Sequence, residues 1–387
     1  MSKLKVAALQ GLSASSDAIT LANDGTCTAN ITNRTNRNLI INGAMQVAQY
    51  GTSSTEDGYN TCDRFRYDIT STDENPTQAQ VDVASGTTPY TSGFRKAFKI
   101  TNGNQTSGAG ASDRLVVLYR VEAQDLANSG WNYTSSSSYI TFSYWVKSSV
   151  AQNFFVTLKS GDGTPQKYAT ETGSLTADTW TKITKTIPGA SNVQFDNNNG
   201  EGLEIEWSLF RGTDQTGSMS LNAWAANNNS VRTPDQTSTW YTTNDATFEI
   251  TGVQLEVSDH ATDFEHRSYA QELALCQRYY QVLAPAAADQ VICFGGYMAT
   301  EWIGVVHFTQ EMRIAPTLVV SNFTNAFRIY GNGASFNPST LTTDTSLNTT
   351  RAFYLRAIDS TNVERAYLRV LAANSGVYAT IAVSAEL

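Results

Sequence analysis

The sequence predicts an all-β protein made of a β-sandwich, one amphipathic helix and a second, smaller β-rich unit. Short runs of alternating apolar and polar residues recur at turn-rich intervals through most of the chain, with no helix pattern between them. Only the stretch 268–280 changes to a three- and four-residue period. Charged residues make up 16% of the chain, against about a quarter in average globular proteins. Thr, Ser and Asn fill that deficit, a composition typical of β-rich, outward-facing proteins.

A chain of 387 residues suits two or three domains. Residues 1–37 have no aromatic side chain and carry one hairpin signal, a short strand at 18–21, the turn Asn23-Asp24-Gly25 and a return at 27–31. Little there builds a core, so this leader is either disordered or an arm that orders only against something else. From Arg37 an apolar strand through Leu39, Ile40 and Ile41 breaks at Asn42-Gly43, and a polar loop follows to Asp63-Arg64-Phe65. Strands are expected at 94–100, 114–121, 139–147, 153–159, 180–187, 202–210 and 248–257, with 121–126 readable as a short helical turn. In the closing strand Phe248, Ile250, Val253, Leu255 and Val257 slip phase at Thr251-Gly252, which reads as a bulge.

The helix is expected over Ser268 to Tyr280. Ser268 can cap it with Gln271 reaching back, and Pro285 forbids continuation. Tyr269, Leu273, Cys276 and Tyr280 would form its buried side. Beyond it, strands at 291–294, 302–308, 317–321, 327–330, 352–358, 366–371 and 377–383 make a unit of about 100 residues, enough for its own core. That unit has no Lys and six Arg against seven acidic residues, so most of the net charge of −9 lies upstream.

The negative charge, without a Lys/Arg cluster, argues against nucleic acid and anionic membranes as partners. Cys27, Cys62, Cys276 and Cys293 are too scattered for a zinc site or a disulfide framework, and read as free, mostly buried thiols. No run approaches the about 20 apolar residues of a transmembrane helix. The short apolar run after Lys3 and Lys5 is interrupted by Gln10 and Gly11, so no signal peptide is expected.

Several blocks carry a family resemblance: NLIINGAMQVAQYGTS, YITFSYWVKSS, LTADTWTKITKTIPG, GLEIEWSLFRG, and ITGVQLEV followed by FEHRSYAQELALCQRYY. Over residues 38–281 the chain resembles the carbohydrate-binding-module-like jelly roll of bacteriophage fibre and other virion surface proteins, particularly those of marine phages. The resemblance implies an all-β fold with a jelly-roll β-sandwich at 38–265, a linking amphipathic helix at 266–285 and a smaller C-terminal β-sandwich at 286–387. It further implies a homotrimer whose leader, residues 1–37, attaches to other virion proteins. Jelly rolls of this kind often carry NGxFE on the first strand and IDDV on the last, with acidic residues holding calcium. Here Asn42-Gly43-Ala44-Met45-Gln46 and Ile250-Thr251-Gly252-Val253 lack both carboxylates. No calcium of that kind and no cofactor is expected, while carbonyl oxygens and Glu256 leave a weaker cation site open.

Sugar recognition needs flat apolar faces beside amide and carboxylate groups. Trp131, Tyr133, Trp224, Trp240 and Tyr241 lie in loop-like text and are the glycan-binding candidates, with loop packing or subunit contact as the alternative. Trp145, Trp180 and Trp207 lie in strand patterns and are expected in the core. Glu204 and Glu206, two apart on a strand, would hold carboxylates about 6 to 7 Å apart, a spacing that suits a glycosidase pair. Leu203, Ile205 and Trp207 claim the buried face, however, so the glutamates are expected in solvent with ordinary pKa values and no catalytic role. His260, His266 and His307 lack metal-ligand spacing, and no nucleophile signature occurs. In the C-terminal unit Arg365, Tyr367 and Arg369 alternate with Ala366, Leu368 and Val370, with Arg356 expected on the neighbouring strand. This face is either solvated or an interface to another subunit or an acidic polysaccharide.

The resulting expectation is a non-enzymatic phage virion structural protein, a tail fibre or similar appendage, that recognises host-surface polysaccharide during adsorption. One alternative is a capsid decoration or assembly protein without glycan binding. The other is a polysaccharide-degrading tailspike, which calls for a long repetitive β-helix or an evident acid pair, neither of which is seen in the sequence.

Overall fold

The computed structural model describes residues 6–10, 17–21, 23, 27–29, 35–284, 291–298, 301–320, 327–331, 334–336, 338–358, 369–373 and 380–387. The fold is all-β. Two antiparallel six-stranded sheets face each other. The first runs in the order Trp224–Ala226, Gln166–Ser174, Asn153–Ser160, Glu201–Arg211, Arg114–Glu122 and Arg66–Thr70. The second runs Thr181–Pro188, Tyr139–Ser148, Thr247–Glu256, Lys96–Thr101, Thr77–Asp82 and Ser53–Ser54.

Alternation along each strand sets the core. Ile140, Phe142, Tyr144 and Val146 point inward from the second sheet, and Leu203, Ile205, Trp207 and Leu209 from the first. Trp207 is the central wedge, with the rings of Phe142, Tyr144 and Phe65 centred 5.7, 5.8 and 6.2 Å away. The expected bulge is present. The closing strand's register shifts between Thr251 and Gln254, and Gly252 takes φ +62. A Cβ there would stand 2.6 Å from the Phe94 ring, so glycine is needed for both conformation and space.

The strand expected at 39–41 does not form, while the break expected at Asn42-Gly43 is an irregular turn, with Asn42 and Met45 at φ 60 and 57. The Asn42 amide explains the difference. It donates to the Val47 and Asp63 carbonyls at 2.8 and 3.0 Å while its oxygen accepts from Val47 N–H at 2.9 Å. Local side-chain bonds thus replace a ladder. Beside this turn, on the helix side, lies Arg267. It donates to the carbonyls of Asn38 and Ile40 and lies 3.4 Å from Glu265 and 3.5 Å from Glu272. A tethered guanidinium therefore gathers these carbonyls and carboxylates.

The helix spans Tyr269–Cys276 with the expected capping box between Ser268 and Gln271. Its buried side differs from expectation. Cys276 and Tyr280 are buried as expected and Leu273 is half-buried, but Tyr280 lies on the strand Tyr280–Ala284 rather than the helix, and Tyr269 is 56% exposed. The inward place is taken by Glu272, whose carboxylate accepts the Asn42 N–H and faces Arg267. A satisfied carboxylate has displaced the apolar side chain that periodicity alone would bury.

Downstream, a seven-stranded sheet runs Ala334–Phe336, Phe327–Gly331, Arg369–Ala373, Val291–Met298, Glu301–His307, Ala352–Ile358 and Thr340–Thr343. A three-stranded sheet holds Tyr280–Ala284, Ile381–Ser384 and Thr317–Val320. Trp302, Phe353, Leu355, Ile329, Ile381 and Val383 form a core separate from that of the sandwich. The strand of Arg369 does not adjoin that of Arg356. It pairs with Val291–Met298 and Phe327–Gly331, whereas Ala352–Ile358 lies between Glu301–His307 and Thr340–Thr343. Arg356 is held by Glu301 at 2.8 Å. Arg365, Tyr367 and the side chain of Arg369 lie outside the described residues. In the leader, Asp17–Leu21 pairs antiparallel with Cys27–Ala29 as the hairpin signal predicts, and Ala8–Gln10 adds a third strand. Cys62, Cys276 and Cys293 are buried free thiols.

The C-terminal segment is clasped into the sandwich through Arg64, which is 1% exposed and pairs with Glu386. The guanidinium lies 3.4 Å from the centre of the Tyr279 ring and donates to the Arg120 carbonyl at 2.7 Å. Arg120 and Tyr59 donate to the Leu387 carbonyl at 2.7 and 3.1 Å, and Arg313 donates to the Ala385 and Glu386 carbonyls, each at 2.8 Å. Beside them burial raises the Asp63 carboxyl to about 7, even though Gln49 donates to both its oxygens at 2.6 Å. Replacing Glu386 by Ala strands a buried guanidinium and is expected to lower stability by about 3 kcal/mol in urea unfolding. The double change Arg64→Met with Glu386→Leu should recover much of that loss. A Glu386→Ala protein as stable as the parent would show that the clasp contributes nothing.

Candidate functional site

On the outer face of the second sheet, strand Tyr139–Ser148 turns Thr141, Ser143, Trp145 and Lys147 away from the core, because Ile140, Phe142, Tyr144 and Val146 fill the inward parity. Trp145 is half-buried and directly opposite Lys182 on the edge strand, with Thr251 opposite it on the other side. The segment 258–266 crosses this face. Thr141 and Thr186 donate to the Ser258 and Asp259 carbonyls at 2.9 and 3.4 Å, and Thr262 donates to Glu256 at 2.6 Å. Its end carries Phe264 and His266 against Phe94, with ring centres 4.8 to 5.1 Å apart. His266 Nε2 lies 3.0 Å from the Ser92 carbonyl, and Gly93 at φ +97 leaves the room its ring needs.

Between this segment and the turn at 91–94 lies an open groove of about 510 Å³. Its walls are Trp145, Phe94, Phe264 and His266, and its polar groups are Ser143, Thr262, Lys182 and Asp263. A flat indole, an aromatic end wall, one exposed ammonium and one exposed carboxylate match the requirements of a hydroxylated ring. Asp263 is the one carboxylate lining the groove. Among the described residues no group of three or more His, Cys, Asp or Glu could hold a metal ion, and no helix is long and apolar enough to cross a membrane.

The aromatics singled out by sequence lie elsewhere, and two expectations reverse. Trp131, Trp240 and Tyr241 are core, at 3, 0 and 1% exposure, and offer no platform. Trp240 donates to the Thr247 carbonyl at 3.0 Å, and Tyr241 stacks on Phe210 at 4.3 Å, so this stretch plugs the sandwich rather than forming a free loop. Tyr133 and Trp224 are half-buried against the core, with Trp224 donating to the Pro188 carbonyl at 2.7 Å. Trp145 and Trp180, expected inside, stand outside, and Lys147 lies 5.2 Å from the Trp180 ring centre. Of Trp145, Trp180 and Trp207 only Trp207 is core.

Glu204 and Glu206 do point away from the core, but they are buried, at 6 and 3% exposure. The excursion after Arg211 covers this face. Arg211 engages Glu206 with both its Nε and Nη2, and its backbone N–H donates to Gln236 at 2.9 Å. Glu204 is gripped by Arg120 at 2.6 Å and Lys159 at 2.8 Å, and Glu201 by the same two cations at 2.7 and 3.2 Å. Burial pushes the Glu204 carboxyl up, but Lys159 and Arg120 outweigh it and hold the group at about 2. Burial lowers the neighbouring Lys167 ammonium to about 8, against the pull of Glu206. A proton donor in glycoside cleavage needs the opposite shift from that of Glu204.

No family model matches the chain, and no curated protein matches it in sequence. Solved structures give low likenesses. One is a tailspike protein 4 enzymatically active domain of bacteriophage CBA120, at 8% identity over 57% of this chain and 21% of that one, with a TM-score of 0.30. Another is the N-terminal cellulose-binding domain of Cellulomonas fimi β-1,4-glucanase C, at 11% identity over 55% of this chain and 98% of that one, with a TM-score of 0.27. A third is a family 11 carbohydrate-binding module from Clostridium thermocellum bound to a β-1,3-1,4-mixed-linked tetrasaccharide, at 10% identity over 54% and 96%, with a TM-score of 0.24. The match spans about a fifth of the tailspike chain. Scores this low carry no site residue or ligand across to this protein.

The cation grip on Glu204 has a pH signature. With a folded-state value of about 2 against an ordinary 4.5, ionised Glu204 contributes stability that is complete above pH 4.5 and fades as pH falls to 2, amounting to about 3 kcal/mol. Glu204→Gln should therefore be less stable than the parent at pH 7, and the gap should narrow between pH 4.5 and 2 in denaturant titrations. A gap independent of pH would remove the ion pairs as its cause.

Proposed function

We propose that this chain is a non-enzymatic carbohydrate-binding protein of a bacteriophage virion surface, a tail fibre or similar appendage, which holds host-surface glycan in the groove beside Trp145. The observation that carries this reading is the outward Trp145, its indole beside Ser143 and Lys182 and bounded by Phe94, Phe264 and His266. A half-exposed indole on a rigid strand presents a flat C–H acceptor at little entropic cost, and the polar rim supplies hydroxyl partners. Binding without cleavage is supported by the carboxylates. Asp263 has no second carboxylate in the groove to complete an acid pair, and Glu204 and Glu206 are locked to Arg and Lys.

The virion assignment rests on the sequence resemblance of the sandwich and helix blocks. With it go a homotrimer, attachment to other virion proteins through residues 1–37, and weak single sites strengthened by several copies on one particle. A specific observation favours the assembly reading as the second choice. Phe294 and Val305, on adjacent strands of the seven-stranded sheet, are 59 and 47% exposed.

Trp145 lies outside the main sandwich core but packs on the small Phe94 cluster, so Trp145→Ala should cost about 1 to 2 kcal/mol of stability, leaving the protein folded, while lowering glycan binding and particle adsorption by about tenfold. Trp240→Ala, the buried control, should lose about 3 kcal/mol of stability. Unchanged adsorption in Trp145→Ala would defeat the groove assignment. Release of reducing ends from host polysaccharide by the purified protein would replace binding with hydrolysis.

A further inference from the structure

The second sheet's outer face carries both lysines and carboxylates, and what singles out the groove is which of them are paired. Glu249 is flanked across the strands by Lys99 on one side and Lys147 on the other, and it forms its ion pair with Lys147 at 3.0 Å. Lys96 is matched by Asp82 at 2.6 Å. Lys182, exposed and directly across the strand from Trp145, has no carboxylate within ion-pair distance among the described residues. One glutamate thus serves two lysines, and the ammonium nearest the indole has no partner, in a chain whose net charge is −9. Asp263, across the groove, is exposed and likewise outside any ion pair among the described residues, so it is an acceptor for hydroxyls.

We infer that the groove selects an anionic glycan, with the sugar ring on Trp145 and its carboxylate or sulfate at Lys182. This rests on the glycan-binding reading above and adds the chemical class of the ligand. The ammonium and the indole sit on neighbouring strands at one register position, so a ring lying on the indole brings a substituent on its edge toward Nζ. Lys147 and Lys99 extend positive charge along the same face for further residues of a polymer. Because Lys182 is exposed, its contribution falls with added salt, whereas stacking on Trp145 does not.

The test is affinity electrophoresis of the full chain against polygalacturonate and its methyl ester, which share one backbone and differ in charge, and against dextran sulfate and dextran. Retardation by polygalacturonate or dextran sulfate is expected to exceed that by the uncharged polymer of each pair. The stronger of the two charged arms identifies carboxylate or sulfate as the group bound. Lys182→Gln should weaken the charged arms by about three- to tenfold and leave the neutral arms alone, Lys182→Arg should retain binding, and Trp145→Ala should weaken every arm. Equal binding of polygalacturonate and its ester with Lys182→Gln silent would overturn the anionic class while leaving a glycan site in place. Absence of binding in all four arms would overturn both.

Discussion

The buried guanidinium of Arg64 is the constraint on which the joining of the two β-rich parts depends. Its cost of desolvation is met from three directions: the Glu386 carboxylate, the face of Tyr279 and the Arg120 carbonyl. Each of those partners fixes a different part of the chain. Glu386 ties down the strand Ile381–Ser384, Tyr279 the exit from the helix, and Arg120 the strand Arg114–Glu122 beside it. Glu122, two residues further along that strand, adds a second such contact, accepting from Tyr279 at 2.5 Å and from Arg278 at 2.7 and 2.8 Å. The helix gives way at Gln277 to a turn that delivers both side chains to that carboxylate. Its length is therefore set by polar contacts as much as by propensity.

This explains what the sequence could and could not show. Strands with strict parity were legible, and the expected 139–147, 153–159 and 202–210 fall within one or two residues of the observed elements. Polar strands such as Thr77–Asp82 and Gln166–Ser174 carry no such parity and were not foreseen. The face taken by Trp145 was written in the text, since Thr141, Ser143 and Lys147 share its parity while Phe142, Tyr144 and Val146 hold the other. A rule that strand tryptophans are core ignored that signal. The burial of Trp240 and Tyr241 had no local sign. It depends on Asn102, 138 and 139 residues away, whose amide donates to the Tyr241 carbonyl at 2.6 Å and to that of Trp240 at 3.5 Å. Likewise the partners of Glu204 come from two other strands, and pairing order is not a property of any single segment.

The sandwich has two outer faces, and they are treated differently. On the first sheet, Glu201, Glu204 and Glu206 are held by Arg120, Lys159 and Arg211, and the excursion after Arg211 lies over part of this face. Buried ion pairs of this kind fix geometry and leave no free charge for a ligand. On the second sheet the covering segment 258–266 crosses only part of the face, anchored by Thr141, Thr186, Gln254 and Glu256. Past its end, Trp145 packs against the Phe94 cluster while staying partly open to the groove, and Lys182 has no carboxylate within ion-pair distance among the described residues. An aromatic plane and a cation left side by side at one register position, on a strand whose other face is locked in the core, form a site held rigid by the fold itself. The recognition chemistry available to this protein is thus fixed by where its own coverage stops.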